Sequence, residues 1–135
     1  MADGVIKAIL SNLLSSLKKE LFDMARADFT HVEFNHHFSA VAPEETRSLT
    51  IEGIPHGGYI LVQVADVENF AAQIEINGVD LPGWDVPPGL SNKWSLWTDP
   101  IPTGFLKEGD NRLTIRSGGG DFFVRSVWVH WREAN

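Results

Sequence analysis

Tryptophan is the residue type whose number and placement most strongly suggest ligand chemistry in this chain. The 135 residues include five tryptophans, and four of them follow residue 90. Flat aromatic faces stack on the apolar faces of sugar rings, while carboxylates and amides form hydrogen bonds with sugar hydroxyls. We therefore predict a carbohydrate-binding cluster in and just after a loop rich in proline and glycine, formed by Trp84, Asp85, Asn92, Trp94 and Trp97.

The alternative interpretation is that these tryptophans cover the core of the domain. Large aromatic side chains dominate core burial, and only exposed ones argue for binding. Trp94 and Trp97 are three residues apart, so in a strand their side chains face opposite sides. At most one of the two can therefore belong to a given binding face.

The histidines and the loop aspartates give weaker signals, in this case for metal chemistry. His31, Glu33, Asn35 and His37 alternate along a strand and so can share one face with N and O donors. The chain lacks the local ligand spacing of zinc sites and the oxygen spacing of EF-hand calcium loops. We therefore interpret them as a solvated strand face and turn residues, and predict no metal and no cofactor.

Motifs for catalysis are missing from the sequence. There is no G-x-S-x-G, no P-loop and no H-E-x-x-H. There is also no cysteine, which excludes thiolate catalysis, disulfides and Cys-ligated zinc. A glycoside hydrolase would need two carboxylates that face one cleft. We predict that the chain is not an enzyme.

Composition indicates one acidic globular domain. Eleven Lys+Arg against eighteen Asp+Glu give a formal net charge of −7, which disfavours nucleic acid as a partner. No apolar stretch approaches the roughly 20 residues that span a bilayer. Polar residues also interrupt the N-terminal apolar run, unlike the core of a secretory signal. We expect a cytoplasmic protein, with secretion left open.

Residues 1–28 are predicted to form an N-terminal amphipathic helix. Apolar residues recur there at intervals of three and four, and the resulting stripe contains Ile6, Leu10, Leu13, Leu17, Leu21 and Met24. Such a stripe is buried against copies of the chain, against the chain's own sandwich or on a membrane surface. Four basic against three acidic side chains attract anionic lipid only weakly. We therefore favour a homo-oligomer formed through the stripe, with intramolecular packing as the alternative.

After residue 28 the apolar period changes from that of a helix to that of strands. Alternating segments predict seven or eight short strands, with 59–64 as a central strand and Asn77-Gly78 as a hairpin turn. Further turns are predicted at 43–45 and 109–111. In the last strand one face is predicted to carry Phe123, Arg125, Val127, Val129 and Trp131. We predict that residues 29–135 form an antiparallel jelly-roll β-sandwich, so that the chain is mostly β.

Three segments resemble the galactose-binding-domain-like jelly rolls that accompany many glycoside hydrolases. They are Ile74–Gly78, Gly104–Ile115 and Phe123–Val129. The second contains Leu106–Ile115, a run similar to the family's L-x-x-G-x-N-x-L-x-I, and the resemblance covers about residues 47–131. It implies a sandwich whose members often bind carbohydrate through loops without catalysis, and no sugar-contacting motif of the family can be matched to a residue here.

The function expected from the sequence is therefore that of a non-catalytic, lectin-like carbohydrate-binding module that oligomerises through its helix. The alternative is a structural or assembly protein in which the sandwich and the helix pack subunits together. Exposure of the tryptophans distinguishes the two, because a binding cluster has to be accessible.

Overall fold

The computed structural model describes residues 5–14, 27–68, 72–82, 86, 88 and 93–133. A helix, α1, spans residues 5–14. The described residues also form eight strands: β1 (Ala27–Phe38), β2 (Glu44–Ile51), β3 (Pro55–Ala65), β4 (Gln73–Ile76), β5 (Val79–Asp80), β6 (Trp94–Ile101), β7 (Gly109–Arg116) and β8 (Phe122–Glu133).

The strands form two antiparallel sheets of four strands each. The first sheet has the order β1-β8-β3-β6 and the second the order β2-β7-β4-β5. This confirms the predicted antiparallel β-sandwich preceded by a helix. The segment predicted as a central strand is part of β3, between β8 and β6. β6 is an edge strand, where Pro100 is tolerated because its missing N–H can face away from the sheet.

The core lies between the sheets and is made of alternate residues from their strands. Ile60, Val62 and Val64 supply it from β3, and Leu113 and Ile115 supply it from β7. Burying each such side chain contributes about 1.5–3 kcal/mol to folding. The period-two pattern thus accounts directly for the sandwich.

The Asn-Gly hairpin connects β4 to β5 as predicted. Asn77 and Gly78 have φ angles of 53° and 80°, which a two-residue turn of this kind requires. The Asn77 amide donates to Oδ1 of Asn111 at 2.8 Å, and its Oδ1 accepts the Arg112 N–H at 2.9 Å. Two segments that carry the jelly-roll resemblance therefore meet through one polar network centred on the buried Asn111.

Both further turn predictions were wrong in their placement. β2 already begins at Glu44 and β7 at Gly109. Glu44 pairs with Arg116 across the sheet, with 3.2 Å between carboxylate and guanidinium. Asn111 is 1% exposed and its amide donates to the carbonyls of Lys107 and Gly109. Polar residues that suggest turns are here satisfied within strands.

An extra residue in β8 changes which side chains face outward. Val62 pairs with Val127 and Val64 with Val124, so two steps along β3 match three along β8. An insertion of this kind reverses the alternation beyond it. The prediction that Phe123 and Arg125 share a face with the later residues of the strand is wrong. Phe123 and Arg125 are exposed, whereas Val127, Val129 and Trp131, which were predicted to lie on the same face, are buried.

Most of the predicted helix lies outside the described residues, including Leu17, Leu21 and Met24. Within α1, the apolar side chains of Ile6, Leu10 and Leu13 are all more than half exposed. The division of the chain into segments 1–28 and 29–135 stays a prediction. β1 begins at Ala27, two residues before that boundary.

Candidate functional site

The outer face of the first sheet carries aromatic and histidine rings in cross-strand rows. Strand register places Phe29, His130 and Tyr59 side by side in one row. The next row pairs His31 with Trp128. We call this surface the ring face, and its rings belong to Phe29, His31, His37, Tyr59, Trp94, Phe123, Trp128 and His130.

The first row is a stack of three rings. The His130 ring lies 4.5 Å from the ring of Tyr59 and 5.4 Å from the ring of Phe29, measured between centroids. The planes of His130 and Tyr59 are only 8° apart. Aromatic pairs of this kind contribute about 0.5–1.5 kcal/mol beyond the area they bury. The stack therefore holds the imidazole in a fixed orientation.

At the other end of the ring face lies an open cleft of about 290 Å³. We call it the Trp94 cleft, and it is lined by Asn35, His36, His37, Trp94, Phe123, Val124 and Arg125. The His37 ring stacks on Phe123 at 4.2 Å, and the Arg125 guanidinium lies 4.5 Å from the centre of the Trp94 ring. The cleft thus combines aromatic surface with polar donors.

Arg47 connects the second sheet to the bulge in β1 beside this cleft. The register shifts between Glu33 and His36, and Asn35 has a φ of 44°. The Arg47 guanidinium donates to the carbonyl of Phe34 at 3.0 Å and to that of Glu33 at 3.2 Å. These carbonyls flank the bulge, so Arg47 fixes the backbone that presents Asn35 to the cleft.

The same guanidinium forms a hydrogen bond with the Glu45 carboxylate. This bond is the main reason why the pKa of Glu45 lies below its usual value. The other carboxylate oxygen of Glu45 lies 3.3 Å from Nδ1 of His36. Glu45 therefore stays ionised beside the cleft and orients both neighbours.

The structure describes two of the five residues of the predicted binding cluster and separates them. Trp94 is 44% exposed and lies in the Trp94 cleft. Trp97 pairs with the core residue Val62, and its buried Nε1 has no hydrogen-bond partner among the described residues. The two thus face opposite sides of β6. The remaining three, Trp84, Asp85 and Asn92, lie outside the described residues.

Sequence reasoning missed the neighbours of Trp94 in the cleft. Phe123 and Arg125 were predicted to share one face with Val127, Val129 and Trp131, because nothing in their spacing signals the extra residue in β8. His37 was predicted to lie on a solvated strand face, with a metal ligand as the alternative. The signal that could have identified it is its alternation with His31 on a strand that also carries Phe29.

The alternating polar residues of β1 do not form a metal site. His31 lies against Trp128 at 5.2 Å, and His37 lies on Phe123 with Asp121 3.6 Å from its Nε2. Across the part of the chain that the structure describes, no group of three His, Asp or Glu side chains could hold a metal ion. The bulge at Asn35 interrupts the alternation that the metal alternative required.

Comparison with protein families gives a match over most of this chain. The model of DUF7383, a family of unknown function, matches residues 27–133, which is the whole described sandwich. Comparison with curated proteins gives no match. Within the described residues, no helix has the length and apolar character needed to cross a membrane.

Solved structures similar to this chain include domains from carbohydrate-active enzymes. A GH26-CBM35 β-(1,4)-mannanase of Podospora anserina is 12% identical with a TM-score of 0.55, over 82% of this chain and 29% of that one. The carbohydrate-binding module CBM36 in complex with calcium and xylotriose is 16% identical with a TM-score of 0.45, over 73% and 86%. VP2 of infectious bursal disease virus is 11% identical with a TM-score of 0.49, over 81% and 33%.

These likenesses concern the fold alone. This chain spans less than a third of the length of the mannanase. The fold is a β-sandwich jelly roll, as the resemblance in the sequence implied. A fold of this kind does not determine function.

Proposed function

The chain belongs to the DUF7383 family, and we propose that it is a non-catalytic carbohydrate-binding module that binds a glycan at the Trp94 cleft. The observation that carries this proposal is the exposed indole of Trp94 in a cleft that also holds polar donors. The jelly-roll fold supports this proposal by analogy, because members of this fold often bind carbohydrate.

The cleft supplies both kinds of contact that a sugar ring needs. The exposed area of Trp94 offers an apolar surface to the C–H face of the ring. Arg125, which lies against the same indole, and His37 supply hydrogen-bond donors for hydroxyl groups. The side-chain N–H of Asn35 donates to the Glu33 carboxylate at 2.7 Å, which leaves the amide oxygen of Asn35 as an acceptor for the ligand.

Residues between β5 and β6 complete the proposed site. Asn92 precedes Trp94 by two residues in the sequence, and Trp84 and Asp85 come earlier, in the segment that the sequence predicts to be a loop. We propose that these three residues contribute to the binding surface around Trp94. Trp97 acts only through packing, because its side chain lies on the inner side of β6.

A glycan array followed by calorimetry tests the binding function. The Trp94→Ala variant should bind the best glycan at least tenfold more weakly, since a stacking contact of about 1.5 kcal/mol is lost. Leu96→Ala is the matched control, because Leu96 is a more exposed apolar residue on the same strand and outside the cleft. Equal losses in both variants, or no glycan bound by the wild-type chain, would contradict the proposal.

The helix is proposed to make the module a homo-oligomer. Its apolar residues are all more than half exposed: Val5, Ile6, Ile9, Leu10, Leu13 and Leu14. A second copy of the same stripe would cover them, as in a coiled coil. Oligomerisation would also raise the avidity of weak glycan sites without new contacts.

Light scattering on the full chain tests the oligomer. The double variant Leu10→Asp, Leu13→Asp should be monomeric at concentrations where the wild-type chain is a defined oligomer. Ser11→Asp is the control, since it adds charge outside the predicted stripe. A monomeric wild-type chain would contradict this part of the proposal. An oligomer that binds no glycan would favour the structural or assembly role.

A further inference from the structure

A second cleft lies at the opposite end of the first sheet from the Trp94 cleft. Its walls are the start of β3, the turn after β6 and the end of β8, and its volume is about 420 Å³. We call it the His130 cleft. The side chains that line it with hydrogen-bonding groups are His56, Tyr59, Thr103, His130 and Arg132.

The polar lining of this cleft is entirely basic or hydroxyl-bearing. It holds one guanidinium and two imidazoles, and no carboxylate lines it among the described residues. The neighbouring carboxylate of Glu133 lies on the Gly53 side, where a Cβ added to Gly53 would be 2.8 Å from its Cδ. In a chain of net charge −7, a guanidinium surrounded by nitrogen and hydroxyl donors, with no lining carboxylate, favours an anionic ligand.

Two glycines shape the wall of the cleft. A Cβ on Gly58 would lie 1.8 Å from the carbonyl oxygen of His130, so β3 and β8 approach each other closely here. Gly57 has a φ of 70°, and a Cβ there would lie 3.3 Å from the hydroxyl of Thr103. A side chain at Gly57 would therefore crowd this hydroxyl, and one at Gly58 would force the two strands apart.

The free edges of the His130 ring are a second feature of the cleft. The faces of this ring are stacked between Tyr59 and Phe29, so only its edges are free to form hydrogen bonds. The neighbouring Trp131 side chain belongs to the core between the sheets, on the other side of β8. The donors that the cleft offers to a ligand therefore come from the outer side of β8, from the start of β3 and from the turn after β6.

We propose that the His130 cleft binds a tetrahedral oxyanion, sulfate or phosphate, either free or carried by a sugar. Arg132 offers the planar fork that pairs two oxygens of such a group, with charge-assisted hydrogen bonds. His56, His130 and the two hydroxyls supply further donors around it. This site is separate from the Trp94 cleft, and it stands whether or not glycans bind there.

An NMR titration of the full chain with sodium sulfate tests the site, with sodium chloride at matched ionic strength as the reference. Sulfate should shift the imidazole signals of His56 and His130 specifically. Arg132→Gln should weaken sulfate binding roughly tenfold or more, because charge-assisted hydrogen bonds are lost. Arg112→Gln is the matched control, since it removes the same charge from the exposed face of the second sheet.

The remaining variants and ligands separate the outcomes. His56→Gln, at an exposed position, should also weaken sulfate binding and keeps the test valid if Arg132→Gln lowers stability. Tighter binding of glucose 6-sulfate than of sulfate identifies an anion carried by a sugar, and equal binding identifies a free oxyanion. Shifts that chloride reproduces, equal effects of Arg132→Gln and Arg112→Gln, or equal binding of glucose and glucose 6-sulfate in the cleft would overturn the proposal.

Discussion

Arg47→Gln should destabilise the fold through the β1 bulge. The substitution removes the guanidinium bonds to the carbonyls of Phe34, at 3.0 Å, and Glu33, at 3.2 Å. It also removes the ion pair with Glu45 and the contact of the guanidinium carbon with the Phe34 ring, at 5.2 Å. Among the described side chains of the second sheet, no other donor bonds to these two carbonyls.

The magnitude follows from the number and the exposure of these contacts. A hydrogen bond to a charged group contributes about 1.5–3 kcal/mol when buried. The Arg47 side chain is 33% exposed, so water replaces part of what is lost, and the Glu45 pair adds little. We expect a loss of about 2 kcal/mol in the free energy of unfolding, which lowers Tm by roughly 6–10 °C for a domain of this size.

Urea and thermal unfolding of three full-length variants provide the assay. Arg47→Lys should lose nearly as much as Arg47→Gln, because a single ammonium cannot reproduce the planar fork. Arg112→Gln, at an exposed position of β7, should change stability by less than about 0.5 kcal/mol. If Arg47→Gln is no less stable than Arg112→Gln, the bulge does not depend on the guanidinium and this reasoning is wrong.

Two further predictions concern stability. Because the pKa of Glu45 is lowered in the folded state, its contribution should be present above pH 4.5 and disappear as the pH falls through the lowered value. Urea unfolding should therefore show Glu45→Gln less stable than wild type at pH 7, by at most about 1 kcal/mol, and the difference should be smaller at pH 3. Gly58→Ala should cost more than about 3 kcal/mol, because its Cβ would overlap the His130 carbonyl oxygen. The control Gly104→Ala, with φ at 99° and open space around it, should cost only about 1–2 kcal/mol by thermal unfolding, and equal costs would contradict the proposed close approach.

The parts of the fold that follow from local periodicity could be predicted from the sequence. The apolar run that includes Ile60 and Val62 identified a central strand, and Asn77-Gly78 identified a hairpin, since each depends on neighbouring residues alone. Strand bounds were less predictable. Asn111 has the side chain of a turn residue, and its place within β7 depends on a hydrogen bond with Asn77, which lies more than thirty residues away in the sequence.

The candidate site was predictable only in its residue types. Trp94 is exposed, and the alternation of side chains along a strand correctly predicted that Trp94 and Trp97 face opposite sides. The contact between Arg125 and Trp94 could not be foreseen, because it depends on an extra residue in β8 that becomes evident only when β8 is paired with β3. Pairing across a sheet is a property of distant segments, and spacing within one strand does not report it.

The pairing of the first strand with the last has a mechanical consequence. Ala27 pairs with Arg132, so β1 begins at the end of the sandwich where β8 finishes. A pulling force between the segments before β1 and after β8 would therefore break their ladder one hydrogen bond at a time, which resists far less than shearing many at once. The contact between Phe29 and His130 would break early, since these residues pair only two positions from the Ala27–Arg132 pair at the end of the ladder. If copies are joined through α1, tension on the assembly would peel β1 away and release the histidine that the stack holds in place.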